Sequence, residues 1–228
     1  MKKLLSLSLL LALSACNSPN TPSPLNTDSP AKHSNYYYQR ESLFQQLPTS
    51  NKDIIFLGDS ISDGNEWFEL YQNPYYKNRG ISGDTTQGIL DRLETITRGK
   101  PQKIFLLIGI NDLGRGGKIE DVLKNLEAIS LKIKQDSPKT SLYIQSLLPV
   151  SNELKLFPGH TALWEQIPTF NKQIQSIAEK MGNTYIDIYT PFVDINTKKL
   201  NLQYSNDGLH LLGAGYLRWQ EIIKPYLK

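Results

Sequence analysis

A chain of 228 residues is long enough for one domain with a full hydrophobic core. Charged residues make up 21% of it and the mean hydropathy is −0.38, so its bulk reads as soluble and globular. The formal charge of +3 falls to 23 basic against 22 acidic residues without Lys2 and Lys3, which gives no electrostatic case for nucleic acid, and the single cysteine, Cys16, excludes an intramolecular disulfide.

Lys2 and Lys3 form a positive n-region and Leu4 to Leu13 an apolar run too short to span a bilayer. The run ends in Leu13-Ser14-Ala15-Cys16, which resembles the bacterial lipoprotein signal. That resemblance implies removal of residues 1–15 and lipid on the Cys16 sulfur, enough to hold the protein on a membrane. Asn17 after the cysteine implies the outer membrane of a bacterial envelope. Residues 16–35 carry Pro19, Pro22, Pro24 and Pro30 among Ser, Asn and Thr, and read as a tether with too few apolar residues to fold. His33 falls in this tether. The folded domain is expected over 36–228, with Tyr36, Tyr37 and Tyr38 docking the tether onto it.

Asp53 to Leu57 reads as a buried strand ending at Gly58. Tyr75 to Arg79 is a weaker strand, and Gly88 to Arg98 reads as helix. Lys103 to Ile108 is the next strand, ending at Gly109. Ile119, Val122, Leu123, Leu126, Ile129 and Ile133 recur at helical steps. Ser141 to Ser146 is a strand. Ile167, Phe170, Ile174, Ile177 and Met181 again recur at helical steps, with Gly182 as a stop signal. Thr184 to Ile188 is a further strand, and Ala214 to Tyr226 a last helix. Strands alternating with helices predict an α/β fold with a parallel sheet covered on both faces. Ligands in such sheets bind beyond the carboxyl ends of the strands, and Ser60, Gly83 and Asn111 each fall just past one.

Ser60 should lie near a helix start, where free amides favour developing negative charge, although serine there is commonly a plain N-cap. A serine nucleophile needs a base, and the chain has three histidines. His33 lies in the tether, and His160 sits in a Pro-Gly loop with no carboxylate at a short spacing. His210 has Asp207 three residues before it, so one turn can present both, with Asp207 holding the imidazole tautomer. Gly83 can offer a backbone amide and Asn111 a side-chain amide to an oxyanion, although taken singly each reads as a loop residue.

Gly58-Asp59-Ser60-Ile61, Gly83, Gly109-Ile110-Asn111-Asp112 and Asp207-Gly208-Leu209-His210 together resemble the four blocks of the SGNH/GDSL hydrolase family, in family order. The resemblance implies a three-layer α/β/α sandwich, flavodoxin-like, with about five parallel strands. It implies Ser60 as nucleophile, His210 as base and Asp207 as its partner. The Ser60 amide, Gly83 and Asn111 would form the oxyanion hole, with no cofactor. Ile61 departs from the family's usual leucine, a change of packing only. The stretch Asn78 to Thr86 is similar to platelet-activating-factor acetylhydrolase-like proteins and bacterial sugar O-acetylesterases, with Asp84, Thr85 and Thr86 expected to cap the following helix.

Two other patterns fail. Asp59 to Leu70 lacks the ligands of a calcium loop at Ile61 and Leu70, and Gly116-Gly117-Lys118 lacks the first glycine and the Ser/Thr of a phosphate loop. With so few His and Cys, no metal site is expected. Trp67 reads as a packing residue before a pocket wall. The expected function is a membrane-tethered serine esterase acting on short acyl esters, acetyl on a carbohydrate first. A lysophospholipase or thioesterase using the Leu147–Thr161 loop as a lid is the alternative. An inactive envelope-binding module is the alternative of another class.

Overall fold

The computed structural model of the protein describes residues 32–227, so the expected signal, Cys16 and nearly all of the expected tether lie outside the described residues. Five strands form one parallel sheet: β1 Ile54–Gly58, β2 Tyr76–Gly80, β3 Lys103–Leu107, β4 Ser141–Gln145 and β5 Thr184–Ile186. Their order is β2-β1-β3-β4-β5, the flavodoxin-like order, with a switch point between β1 and β3. Gly58 pairs with Gly80 on one side and Leu107 on the other, so the three strands end level.

The helices are α1 Asn35–Gln46, α2 Ser60–Asp63, α3 Trp67–Tyr71, α4 Thr86–Asp91, α5 Leu93–Thr97, α6 Ile110–Gly114, α7 Ile119–Asp136, α8 Pro158–Thr161, α9 Ile167–Lys180 and α10 Gly213–Ile223. Among the described residues no helix is long and apolar enough to cross a membrane.

β1 and β3 are buried along their whole length, which is why they read as unbroken apolar runs rather than alternating ones. Phe56, Phe105 and Tyr143 are in register across β1, β3 and β4 and stack at 5.3 and 4.6 Å. Trp67 of α3 lies flat on Phe56 at 3.6 Å and donates its indole N–H to the Ser62 carbonyl, and Trp219 of α10 meets it edge-on at 4.9 Å. Trp67 is therefore core. The alternate residues Ile55, Leu57, Ile104 and Leu106 point to the opposite face, served by the mutually packed α4, α5, α7 and α9. The result is the expected three-layer sandwich.

Two features differ from the sequence reading. The first is α1, whose apolar residues are too sparse to signal a helix. Ser34 caps it by accepting from the Tyr37 N–H, and Tyr37 donates its hydroxyl to the Gly88 carbonyl at 2.9 Å. His33, expected in the tether, packs against this domain, stacked on Tyr37 at 4.0 Å with its Nε2 2.7 Å from Asp91.

The second is a break at Arg92 in the helix expected over Gly88–Arg98. Arg92 is 1% exposed. Its guanidinium donates to Asp84 Oδ2 at 2.9 Å and to the carbonyls of Gly58 (3.2 Å) and Arg79 (2.9 Å). It thus ties the ends of β1 and β2 to the loop that follows β2. Asp84 pairs with it rather than capping α4, a role taken by Thr85. Removing one member of a buried charge pair typically costs about 3–5 kcal/mol. Arg92→Leu is expected to lose stability of that order in urea unfolding, and a loss within the error of the midpoint would show the pair to be dispensable.

Candidate active site

Each strand end delivers one group. β1 leads into Asp59, which rather than Ser60 is the N-cap of α2: Asp59 Oδ1 accepts from the Ile61 N–H at 3.0 Å. Ser60 therefore occupies the first helical position with its hydroxyl unspent on capping, and its own N–H is one of the donors a helix start leaves free. Beyond β2, Gly83 sits at φ +79°, a left-handed conformation that a Cβ disfavours. Among the described residues no acceptor is bonded to the Ser60 or Gly83 backbone N–H. Beyond β3, the Asn111 side chain donates from Nδ2 to the Asp84 carbonyl at 2.9 Å, which seats it against the Gly83-Asp84 turn. Asp112 accepts from the Thr86 N–H (3.1 Å) and hydroxyl (2.6 Å), locking the start of α4 to α6.

The histidine arrives from the other end of the chain. His210 Nε2 lies 3.0 Å from Ser60 Oγ, and its Nδ1 lies 2.7 Å from Asp207 Oδ2. The other carboxylate oxygen, Asp207 Oδ1, accepts from the N–H groups of Leu209 and His210, both at 2.8 Å. Burial works against the Asp207 charge, but these two N–H groups and the His210 side chain outweigh it and hold the carboxyl below its ordinary range. An ionised Asp207 accepts a hydrogen bond from Nδ1–H and so keeps the ring proton there, which leaves Nε2 bare to accept from the serine hydroxyl. Gly208 makes the turn possible: its φ is +84°, and a methyl there would stand 2.1 Å from the Ser151 carbonyl oxygen.

The structure thus joins Ser60, His210 and Asp207 in one hydrogen-bonded chain, and brings Gly83 and Asn111 together through Asp84. Two further groups at the site, His160 and Arg115, were not read from the sequence, and a third, Phe157, was read only as part of the expected lid. His160, set aside as a loop residue, places Nε2 3.0 Å from Asn111 Oδ1. Phe157, in a left-handed conformation at φ 48°, meets the His210 ring edge-on at 5.1 Å. Exposed Arg115 reaches the outer side of Gly83. None carries a local pattern; only the count of three histidines pointed at His160. The Leu147–Thr161 loop divides in two: Leu147, Leu148 and Val150 are buried, whereas Leu154, Leu156 and Phe157 are 39–48% exposed. Among the described residues no group of three or more His, Cys, Asp or Glu could hold a metal ion.

This fold and site place the protein among the hydrolases that act on esters. Residues 56–218 match the GDSL-like Lipase/Acylhydrolase family, and the chain belongs to that family. It is 28% identical over 180 residues to platelet-activating factor acetylhydrolase IB subunit alpha2 of Rattus norvegicus, covering 76% of this chain and 73% of that one. Among solved structures, a Streptococcus pneumonia protein provisionally termed a platelet activating factor superposes with a TM-score of 0.76 at 30% identity, covering 85% of this chain and 93% of that one. The acetylxylan esterase Axe2 of Geobacillus stearothermophilus shares the fold at a TM-score of 0.63 and 18% identity, covering 78% and 95%.

Asp59 is fully buried, and burial, with Asp84 and Asp112 nearby, pushes its carboxyl up to about 7 from 3.8 despite the Ile61 N–H. The folded protein therefore holds a proton there that the unfolded chain releases, so this group's contribution to stability falls as pH rises from about 4 to 7. Asp59→Asn keeps an oxygen for the cap and removes the charge. It is expected to gain stability over the wild type between pH 5 and pH 8, by on the order of a few kcal/mol at most. A difference in melting temperature that does not change with pH would show that Asp59 is not the titrating group.

Proposed function

We propose that the protein is a serine esterase that removes short acyl groups, with acetyl on a carbohydrate as the first substrate class. The observation that carries this reading is the continuous chain from Ser60 Oγ through His210 to Asp207. In this reading His210 Nε2 accepts the serine proton as Oγ attacks the ester carbonyl. The carbonyl oxygen becomes an oxyanion received by the Ser60 and Gly83 N–H groups and the remaining Asn111 N–H. His210 then gives its proton to the departing alcohol, leaving an acyl group on Ser60. Water enters, loses a proton to His210 and attacks the acyl carbonyl; the bond to Ser60 Oγ then breaks, His210 returns the proton to Oγ, and the acid is freed. Asp207 keeps the imidazole in the required tautomer and stabilises the imidazolium each time it forms.

Support for a short acyl group comes from the relatives, since the acetylhydrolase subunit and the acetylxylan esterase are both named for acetyl esters. The second name also favours a sugar. One observation favours a longer chain: Leu154, Leu156 and Phe157 are exposed apolar residues of one loop, and Phe157 meets the His210 ring. An activity profile on nitrophenyl esters from acetyl to palmitoyl separates the two readings. A sharp preference for acetyl is expected. A preference for eight carbons or more would replace it with a lysophospholipase or thioesterase. Ser60→Ala should lower turnover by about 10⁴–10⁶-fold, and wild-type turnover in that variant would remove Ser60 from the chemistry.

For the placement of the enzyme we infer a lipid anchor on Cys16, from the Leu13-Ser14-Ala15-Cys16 pattern, in a bacterial outer membrane, from Asn17 after it. Growth with a palmitate analogue should label the wild type and not Cys16→Ser; an unlabelled wild type overturns the anchor.

A further inference from the structure

His160 has no part in the proton path, yet it is the partner of Asn111. A carboxamide has an accepting end and a donating end, and its surroundings decide which faces which way. The Asp84 carbonyl can only accept, so Asn111 Nδ2 must face it, as it does at 2.9 Å. Oδ1 then faces His160 Nε2 at 3.0 Å, and that nitrogen must carry a hydrogen. Burial lowers the His160 pKa, and the Arg115 charge and the proximity of His210 act in the same direction, so the neutral ring with hydrogen on Nε2 is the form that fits. Both ends of the carboxamide are thereby spoken for, and one Nδ2 hydrogen remains with its direction fixed.

Both partners are themselves held. Arg92 pins Asp84 to the ends of β1 and β2. His160 lies flat against α6, where a methyl on Gly114 would stand 2.4 Å from its ring, and a methyl on Gly159 would stand 2.5 Å from the Gly114 carbonyl oxygen. The left-handed turn at Phe157 starts α8 and delivers the ring to that place.

We propose that His160 is the positioning residue of the oxyanion hole: its Nε2–H holds the Asn111 carboxamide so that the free Nδ2–H faces the reacting carbonyl oxygen. Without that bond only the Asp84 carbonyl holds the amide, and each rotation that breaks this one remaining contact can turn Oδ1, a repulsive group, toward the oxyanion. The inference rests on the reading of Asn111 as an oxyanion donor.

The test is a set of variants assayed on nitrophenyl acetate with melting temperatures recorded for each. Asn111→Ala tests the underlying reading, with an expected loss of about 10²–10³-fold in kcat. His160→Phe keeps an aromatic ring against Gly114 and removes the donor; kcat should fall about 10–100-fold while KM changes little. His160→Gln discards the ring but puts an amide N–H near the Nε2 position, and should recover most of the lost turnover. Combined with Asn111→Ala, His160→Phe should add no further loss, because it acts only through that side chain. If His160→Phe does not fold, His160→Leu replaces it in the same comparison. Wild-type kcat in His160→Phe, additive losses in the double variant, or His160→Gln as slow as His160→Phe would each overturn the proposal and leave Asn111 in the hole. Wild-type kcat in Asn111→Ala would instead remove the oxyanion reading itself.

Discussion

The buried Arg92–Asp84 pair is the contact on which the site is built. Both side chains are 1% exposed, so neither charge has water to fall back on. The Gly58 and Arg79 carbonyls both accept from Nη2, which offsets part of the cost of burying the pair, while Nη1 is buried without a hydrogen-bond partner. Those carbonyls lie at the ends of β1 and β2, the strands that lead to Ser60 and Gly83. The Asp84 carbonyl in turn seats Asn111, beyond β3. A single arginine thus sets three strand ends against one another. Its cover comes from α1: the Phe44 ring lies under the guanidinium groups of Arg40 and Arg79 at 4.8 Å each and of Arg92 at 5.9 Å, which offsets part of the cost of burying them.

The sheet supplies the rest of the rigidity. Because β1, β2 and β3 end level and lie next to one another, groups far apart in sequence meet on one edge without long loops. The switch point between β1 and β3 opens the crevice there, since the connections from these two strands depart in opposite directions. The aromatic stack from Trp67 through Phe56 and Phe105 to Tyr143 braces the sheet behind that edge. Preorganisation of this kind matters for catalysis because donors that need no reorganisation act at full strength when charge develops.

The His210 turn is held differently, by its own residues. Asp207 uses one carboxylate oxygen on two backbone N–H groups and the other on the imidazole, so the turn, the tautomer and the charge on the carboxyl are fixed by a four-residue segment. Only its docking depends on the fold, through the close approach of Gly208 to the Ser151 carbonyl.

That contrast explains what was legible. Strand positions, the strand-end placement of Ser60, Gly83 and Asn111, and the pairing of Asp207 with His210 all follow from short spacings: unbroken apolar runs, glycines at their ends, a carboxylate three residues before a histidine. The sequence by itself therefore determined the fold class, the family resemblance and the candidate residues Ser60, Asp207 and His210, which the structure joins in one hydrogen-bonded chain. It did not reveal α1, whose buried face is only Tyr37 and Phe44, nor the break at Arg92, nor Asp59 in place of Ser60 as the cap. Nor did it reveal the bond between Asn111 and His160, which are 49 residues apart with α7, β4 and their loops between them. Tertiary structure alone decided these, because partners chosen across crossovers leave no period or spacing in the chain, and the energy that selects them exists only once the sheet has brought the strand ends together.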